Sequence, residues 1–536
     1  MSSRRPERIF TGQVASPGLA VGTIELRTEG RGAAVASSDP ADQRAKLQAA
    51  LSRAEAQLTQ LIEKVGETGA AILEFQLALL DDSELLNPVR QRIAGGTAAV
   101  AAWGEVLGEQ IADYEAAEDP NFRARAADLA DLRDRVSELL LGAVERPPGG
   151  RDGGIYVGSD LAPSRFLELD WERCRGAALA NGSSASHVAI LARARGIPLV
   201  VGLGAVAPQL VDGAAAIVDG ESGRLIQDPT PDTSRRYAGL ISQRQAEAVE
   251  DAAYLPRPAV TRSGERVTVL VNIDHPGVLA SVDAAHCDGV GLTRTEFLFA
   301  EPTGLPGEAR QLQVYESLLT WAGDRPVTIR TLDAGGDKPI PGLTPDGESN
   351  PFLGLRGLRL SLTRPDVFRV QLRALARAAV KGSLKVMVPM VTVPREMTQT
   401  RALFHEAVDE LVAEGIPARL PSLGMMVEVP SAALNIAAFD ADFFSIGSND
   451  LVQYVTATGR DCAAVQGLHD PLDPGVLELI ARVVAHGKAS GREVSLCGDM
   501  AADPRYLPAL LDTDLRTVSV APAKLARVKA EVARYG

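Results

Sequence analysis

The sequence predicts a multidomain α/β chain, in which a β-rich α/β domain carries an inserted α-helical bundle and a (β/α)8 TIM-type barrel follows. Three observations predict it. The length of 536 residues exceeds what one hydrophobic core organises. Between residues 42 and 142, apolar residues recur with a helical period among Ala, Leu, Glu and Arg, as in QLTQLIEKV and DLADLRDRVSELLLG. From about Pro256 onward, β-like runs alternate with helical stretches, and eight such runs can be counted.

In chain order, RIFTGQVASPGLAVGTI (8–24) reads as short β segments around a Ser-Pro-Gly turn. The helical tract follows and stops at the Pro-Pro-Gly-Gly break of residues 147–150. Alternating apolar runs from Ile155 to about Ile226 resume the β-rich domain, and residues 234–253 form a connecting helix. The eight barrel runs are VTVLVNI (267–273), GVGLTR (289–294), PVTIRTL (326–332), LKVMVPM (384–390), LGMMVEV (423–429), DFFSIG (442–447), EVSLCG (493–498) and LRTVSV (515–520). The expected division is therefore 1–41 and 145–228 for the two parts of the first domain, 42–144 for the insertion, 229–255 for a linker helix and 256–536 for the barrel.

Bulk chemistry narrows the function. A net charge of −14 disfavours nonspecific nucleic-acid binding, which needs a basic surface, and suits a basic protein partner. Four scattered cysteines without a C-x-x-C pair argue against a disulfide framework or a zinc site and fit a reducing cytoplasm. MSSRRPERIFTGQ has no apolar run behind its arginines, so no secretory leader is expected. No run approaches the ~18 apolar residues of a membrane span.

A barrel gathers the C-terminal ends of its strands into one ligand-binding mouth. Arg294 closes the second run, Arg330 lies near the end of the third, Glu428 ends the fifth, Asn449 and Asp450 follow the sixth, and Cys497 ends the seventh. Converging arginines suit an anion, because the guanidinium fork matches phosphate and carboxylate oxygens. Glu428 and Asp450 would repel each other unless a cation sat between them, and hard oxygen ligands beside a phosphorylated substrate favour Mg2+. The other reading is that both carboxylates pair with the arginines as a structural network. Cys497 is either an inert core thiol or a proton donor.

In the first domain, small residues (NGSSAS, 181–186) precede His187 and the helical run AILARARG. A helix N-terminus there would favour a phosphate on His187, whose neutral ring nitrogen is nucleophilic near pH 7.

With these motifs the chain resembles, over nearly its whole length, the phosphoenolpyruvate-protein phosphotransferases, enzyme I of the bacterial sugar phosphotransferase system. The matches are GSSASHVAILARARGIPLVVG, GVGLTRTEFLF, TIRTLDAGGDK, NPFLGLRGLR, GMMVEVPSA, FFSIGSNDLVQYVTATGR and SLCGDMA. The resemblance implies a phosphohistidine domain with a helical insertion that binds the acceptor, the histidine-containing phosphocarrier protein (HPr), and a barrel that binds phosphoenolpyruvate. It implies that His187 carries the phosphoryl group at Nε2. Arg294, Arg330 and Arg460 would hold phosphoenolpyruvate with Asn449 and the Asp450 backbone, and Arg356 would add a phosphate contact. Glu428 and Asp450 would ligate Mg2+, and Cys497 would protonate the enolate to pyruvate. A homodimer through the barrel is implied, as are swivelling linkers near 145–155 and 228–256. Glu67, Glu74, Asp81, Asp82 and Glu84 would steer a basic acceptor, although such a cluster is also an ordinary solvated helix face.

Three residues depart from the family pattern. Ala185 replaces the usual Thr before Ser186-His187, Gln76 replaces a common His and bears on acceptor recognition, and Asp499 replaces the usual Glu after Cys497-Gly498. The chain also stops soon after the eighth run, which bears on packing or dimerisation, and no sensory domain precedes the first domain, which leans toward transport. Two rivals stand beside this reading. A pyruvate phosphate dikinase or phosphoenolpyruvate synthase would need an ATP-binding domain for which no segment is long enough. A regulatory or binding paralogue would engage the acceptor with weak turnover.

Overall fold

A computed structural model describes residues 6–26, 39–64, 67–116, 120–142, 151–183, 186–299, 304–336, 338–340, 342–345, 347–459 and 465–536. Ala185, Arg460, Cys462 and the 147–150 break lie outside the described residues, and His187 and Glu67 are described by their backbone. The chain forms two compact units, Met1–Arg244 and Gln245–Gly536.

The first unit opens with β1 (Arg8–Thr11), β2 (Gln13–Ser16) and β3 (Leu19–Leu26). Five helices follow: α1 (Pro40–Lys64), α2 (Glu67–Leu80), α3 (Ser83–Ala94), α4 (Ala99–Ala116) and α5 (Pro120–Leu140). The sheet then resumes with β4 (Gly154–Gly158), α6 (Pro163–Glu168), β5 (Cys174–Leu179), α7 (His187–Arg195), β6 (Leu199–Val201), β7 (Ala215–Asp219) and β8 (Arg224–Gln227), before α8 (Pro231–Ala252). The strand order is β1-β8-β7-β3-β4-β5-β6-β2. β3 and β4 pair in parallel although the five helices separate them in sequence, so the bundle is an insertion between neighbouring strands. Alternation along the strands gives the sheet two apolar faces. Ala177, Leu179, Leu199 and Val201 pack with Val188, Leu191 and the bundle, while Ile24, Ile155, Val157, Ala178 and Val200 line the other face.

The second unit has β9 (Ala259–Val260), which pairs antiparallel with β10 (Arg266–Ile273). There follow β11 (Val290–Thr293), β12 (Val327–Arg330), β13 (Leu384–Val388), β14 (Ser422–Val427), β15 (Phe444–Gly447), β16 (Val494–Cys497) and β17 (Thr517–Val520). β10 to β17 pair in parallel, each with the next, and β17 returns to β10, so the expected (β/α)8 barrel is present and closed. All eight strands fall on the eight runs read from the sequence. They are nearly continuously buried, as strands covered on both faces must be. Leu292, Met387, Met426, Phe443 and Cys497 form a separate apolar cluster of barrel residues. Among the described residues, no helix is long and apolar enough to cross a membrane.

Candidate active site

The barrel mouth is organised around buried charge. Arg330, the last residue of β12, donates from Nη2 to Glu296 Oε1 at 3.0 Å, and its Nη1 lies 3.1 Å from Asp333 Oδ2. Arg356 precedes the helix Leu358–Thr363 and grips two carboxylates. Its Nε and Nη2 reach Asp333 Oδ1 and Oδ2 at 3.2 Å each, and its Nη1 and Nη2 reach Asp450 Oδ1 and Oδ2 at 3.0 and 2.9 Å. Tyr454, on the same helix as Asp450, accepts from Arg356 Nη1 through its hydroxyl at 3.3 Å. Arg330, Asp333, Arg356, Glu428 and Asp450 are all buried. Burial alone would weaken the charge of Arg356, but Asp333 and Asp450 reverse that and raise its pKa.

Two backbone positions make this arrangement possible. Gly357 has φ +57, and a Cβ there would lie 3.0 Å from Met390 Cβ and 3.1 Å from Asp333 Oδ1. Met390 itself has φ +57, a left-handed conformation uncommon for a non-glycine residue, and its N–H donates to Glu428 Oε1 at 2.6 Å. Glu428 follows β14 directly. Burial, then the neighbouring Asp450 and Asp333 carboxylates, push its pKa up to about 8, against the pull of Arg330 and Arg356. A carboxylate so disfavoured as an anion is one that a bound cation would relieve, and oxygen donors of this kind fit Mg2+.

Cys497 ends β16 with its Sγ 3.6 Å from both Ser445 Oγ and Ile446 O. Burial pushes the thiol up, which leaves it protonated at neutral pH. It shares a cluster with Met426, whose Sδ lies 3.8 Å from Arg330 Nη1. Asn449 and Asp499 exchange hydrogen bonds: Asn449 Nδ2 donates to Asp499 Oδ2 at 3.2 Å, and the Asp499 N–H donates to Asn449 Oδ1 at 3.0 Å. Gly498, at φ +112, lets the chain pass, since a Cβ there would meet Asn449 Oδ1 at 2.8 Å. Arg294 stands one residue past β11, partly exposed, with Nη1 3.1 Å from Asp274 Oδ1.

Of the residues singled out in the sequence, Arg330, Arg356 and Asp450 are thus joined in one network through Asp333, with Glu428 and Cys497 acting on it electrostatically. Arg294 is held by a separate carboxylate, and Arg460 lies outside the described residues. Asp450 is engaged by Arg356 at both oxygens, the pairing that the structural-network alternative describes. Glu428 is held instead by a backbone N–H. Sequence reasoning missed Asp333, Glu296 and Met390. Asp333 and Met390 had a usable signal, since each lies within three residues of a strand's C-terminal end.

In the first unit, His187 is the first residue of α7, behind the N-cap Ser186, whose Oγ accepts the Ala189 N–H at 3.3 Å. The helix N-terminus expected at His187 is therefore present. Gln76, one of the three departures from the family pattern, lies inside the bundle. It is fully buried in α2, where Nε2 donates to Asp131 Oδ2 at 3.0 Å and to Asp128 O at 3.1 Å. Ser164 of α6 donates to the same Asp131 carboxylate from N and Oγ at 3.0 and 2.7 Å. Gln76 thus ties α2 to α5 inside the bundle, and the same Asp131 carboxylate joins α5 to α6. Glu74, Asp81 and Glu84 are exposed, while Asp82 caps α3, its Oδ1 accepting the Glu84 N–H at 2.8 Å.

Comparisons with known proteins agree with this layout. The family model described as PEP-utilising enzyme, PEP-binding domain, matches residues 249–536, the N-terminal model matches 11–125, and the mobile-domain model matches 150–223. The chain is therefore a PEP-utilising enzyme by family. Phosphoenolpyruvate-protein phosphotransferase of Geobacillus stearothermophilus is 36% identical over 98% of this chain and 93% of that protein. The enzyme of the same name from Bacillus subtilis (strain 168) is 35% identical over 93% of this chain and 89% of that protein. A solved structure described as Enzyme I (nEIt) protein aligns with 44% of this chain and 99% of that chain, at 30% identity and a TM-score of 0.37. The chain belongs to the phosphoenolpyruvate-protein phosphotransferase family.

Proposed function

We propose that this enzyme moves the phosphoryl group of phosphoenolpyruvate onto His187 and then onto a histidine of an HPr-type phosphocarrier protein, releasing pyruvate, as a general component of sugar uptake. The single observation that carries this reading is the convergence of Arg330, Arg356, Asp450, Glu428 and Cys497 at one barrel mouth. In this reading residues 1–41 and 145–228 form the phosphohistidine domain, 42–144 the acceptor-binding insertion, 229–255 the linker helix and 256–536 the substrate barrel. The enzyme would work in the cytoplasm as a homodimer joined through the barrel.

Arg294, Arg330, Arg356 and Arg460 orient the substrate through its phosphate and carboxylate oxygens, with Asn449 and the Asp450 backbone completing the grip. Glu428 and Asp450 would hold Mg2+, which when bound supplies charge neutralisation at the phosphoryl oxygens. The His187 Nε2 lone pair forms the new P–N bond in line as the ester P–O bond breaks, and the electron pair leaves with the enolate. Cys497, kept as a thiol by burial, gives its proton to the enolate carbon, which makes pyruvate. An exposed acidic stretch around Glu74, Asp81 and Glu84 favours a basic acceptor.

The test uses the full chain with Mg2+ and phosphoenolpyruvate labelled in its phosphate. One acid-labile phosphate per chain is expected on the wild type and none on His187→Ala. Equal labelling of the variant would remove His187 from this role, and labelling that required ATP would replace the reading with a dikinase.

A further inference from the structure

Arg330 and Arg356 sit close together with both guanidiniums buried, and like charges so placed repel each other. What stands between them is Asp333, which is 0% exposed. Its Oδ2 lies 3.1 Å from Arg330 Nη1 and 3.2 Å from Arg356 Nη2, while Oδ1 accepts from Arg356 Nε at 3.2 Å. Glu296 braces the same point from behind: its Oε1 accepts from Arg330 Nη2 at 3.0 Å and from the Asp333 N–H at 2.9 Å. Neither carboxylate has a part in the chemistry proposed above. Burial would raise the Asp333 pKa, but Arg330, Lys338 and Arg356 hold it well below the usual carboxylate range.

We infer that Asp333, braced by Glu296, is a positioning residue that presets Arg330 and Arg356 as one phosphate-gripping unit before the substrate arrives. The inference rests on the substrate roles proposed for the two arginines. Without the shared carboxylate, substrate binding itself must bring two mutually repelling guanidiniums into line. That cost falls equally on the bound complex and on the transition state, so it appears in KM and leaves kcat nearly untouched.

The experiment compares wild type with Asp333→Asn as full chains, by calorimetric binding of phosphoenolpyruvate with Mg2+ and by steady-state pyruvate formation. Kd and KM are expected to rise at least about tenfold while kcat stays within about threefold. In the Arg356→Met background the same change is expected to add little, because no second guanidinium then remains for Asp333 to align with Arg330. An unchanged Kd in Asp333→Asn, with wild type binding normally, overturns the inference and leaves the proposed function intact. A fall in kcat at constant KM also overturns it, by making Asp333 a transition-state group. Failure of the wild type to bind phosphoenolpyruvate would overturn both. If the Asn variant does not fold, Asp333→Glu keeps the charge and shifts it by one methylene. That variant is expected to raise Kd about threefold or more, and an unchanged Kd would again overturn the inference.

Discussion

Arg356 holds Asp450 at both carboxylate oxygens, Nη1 to Oδ1 at 3.0 Å and Nη2 to Oδ2 at 2.9 Å, with both side chains buried. The pair joins a residue assigned to phosphate with one assigned to the cation. In the proposed reaction Asp450 must share itself between Arg356 and Mg2+. In that reading Arg356 neutralises the Asp450 carboxylate in the structure and would turn part of its fork to phosphate once substrate and cation bind.

Removing one member of such a pair strands the other as a buried charge. Arg356→Met leaves Asp333 and Asp450 short of a counterion, and the barrel is expected to lose about 3–5 kcal/mol. Urea unfolding monitored on the barrel transition measures this, and a loss under about 1 kcal/mol would mean that the pair is hydrated.

Glu428→Gln is expected to act in the opposite sense on the metal-free fold. The neutral amide removes a carboxylate that burial and Asp450 already disfavour as an anion, so metal-free stability should hold or rise. Binding of Mn2+, followed by electron paramagnetic resonance as a stand-in for Mg2+, should fall at least about tenfold. Undiminished Mn2+ uptake would take Glu428 out of the cation site.

The Cys497 thiol lies at the end of β16 with its proton retained by burial. In Cys497→Ala, pyruvate formation is expected to drop at least about a hundredfold while phosphoenolpyruvate still binds. Wild-type turnover in that variant would make the thiol a packing residue of the Leu292, Met387, Met426 and Phe443 cluster.

Asp333 gives the fold a pH dependence of known sign. Its folded pKa lies below the ordinary 3.8, so the native state binds fewer protons than the unfolded chain on the acid side. Its stabilisation is complete above about pH 4 to 5 and is lost as pH falls through the folded value. The stability gap between wild type and Asp333→Asn should therefore narrow from pH 6 toward pH 3. A gap that widened on acidification would contradict the ion pairing.

Much of the fold was legible in the chain. Parallel barrel strands are covered on both faces, so they leave short continuous apolar runs, and all eight were countable. Residues at or just past the ends of those runs reach the mouth by construction, which is why Arg330, Glu428, Asp450 and Cys497 could be picked out. Asp333 escaped because an aspartate three residues past a strand also reads as an ordinary turn residue. The role of Gln76 was not legible for a related reason. A polar side chain on an amphipathic helix reads as surface until the partners that satisfy it, here Asp131 and the Asp128 carbonyl, are known.

The sequence by itself determined the strand count, the insertion, the family and the residue types available to the site, because periodicity and local motifs are properties of neighbours along the chain. Tertiary structure alone decided who pairs with whom. Arg356 meets Asp450 across 94 positions, Arg330 and Arg356 share Asp333, and Glu428 leans on the Met390 N–H from another strand's end. Those choices depend on distances and desolvation fixed only when the barrel closes, and in a buried pocket they set the charge that each group carries.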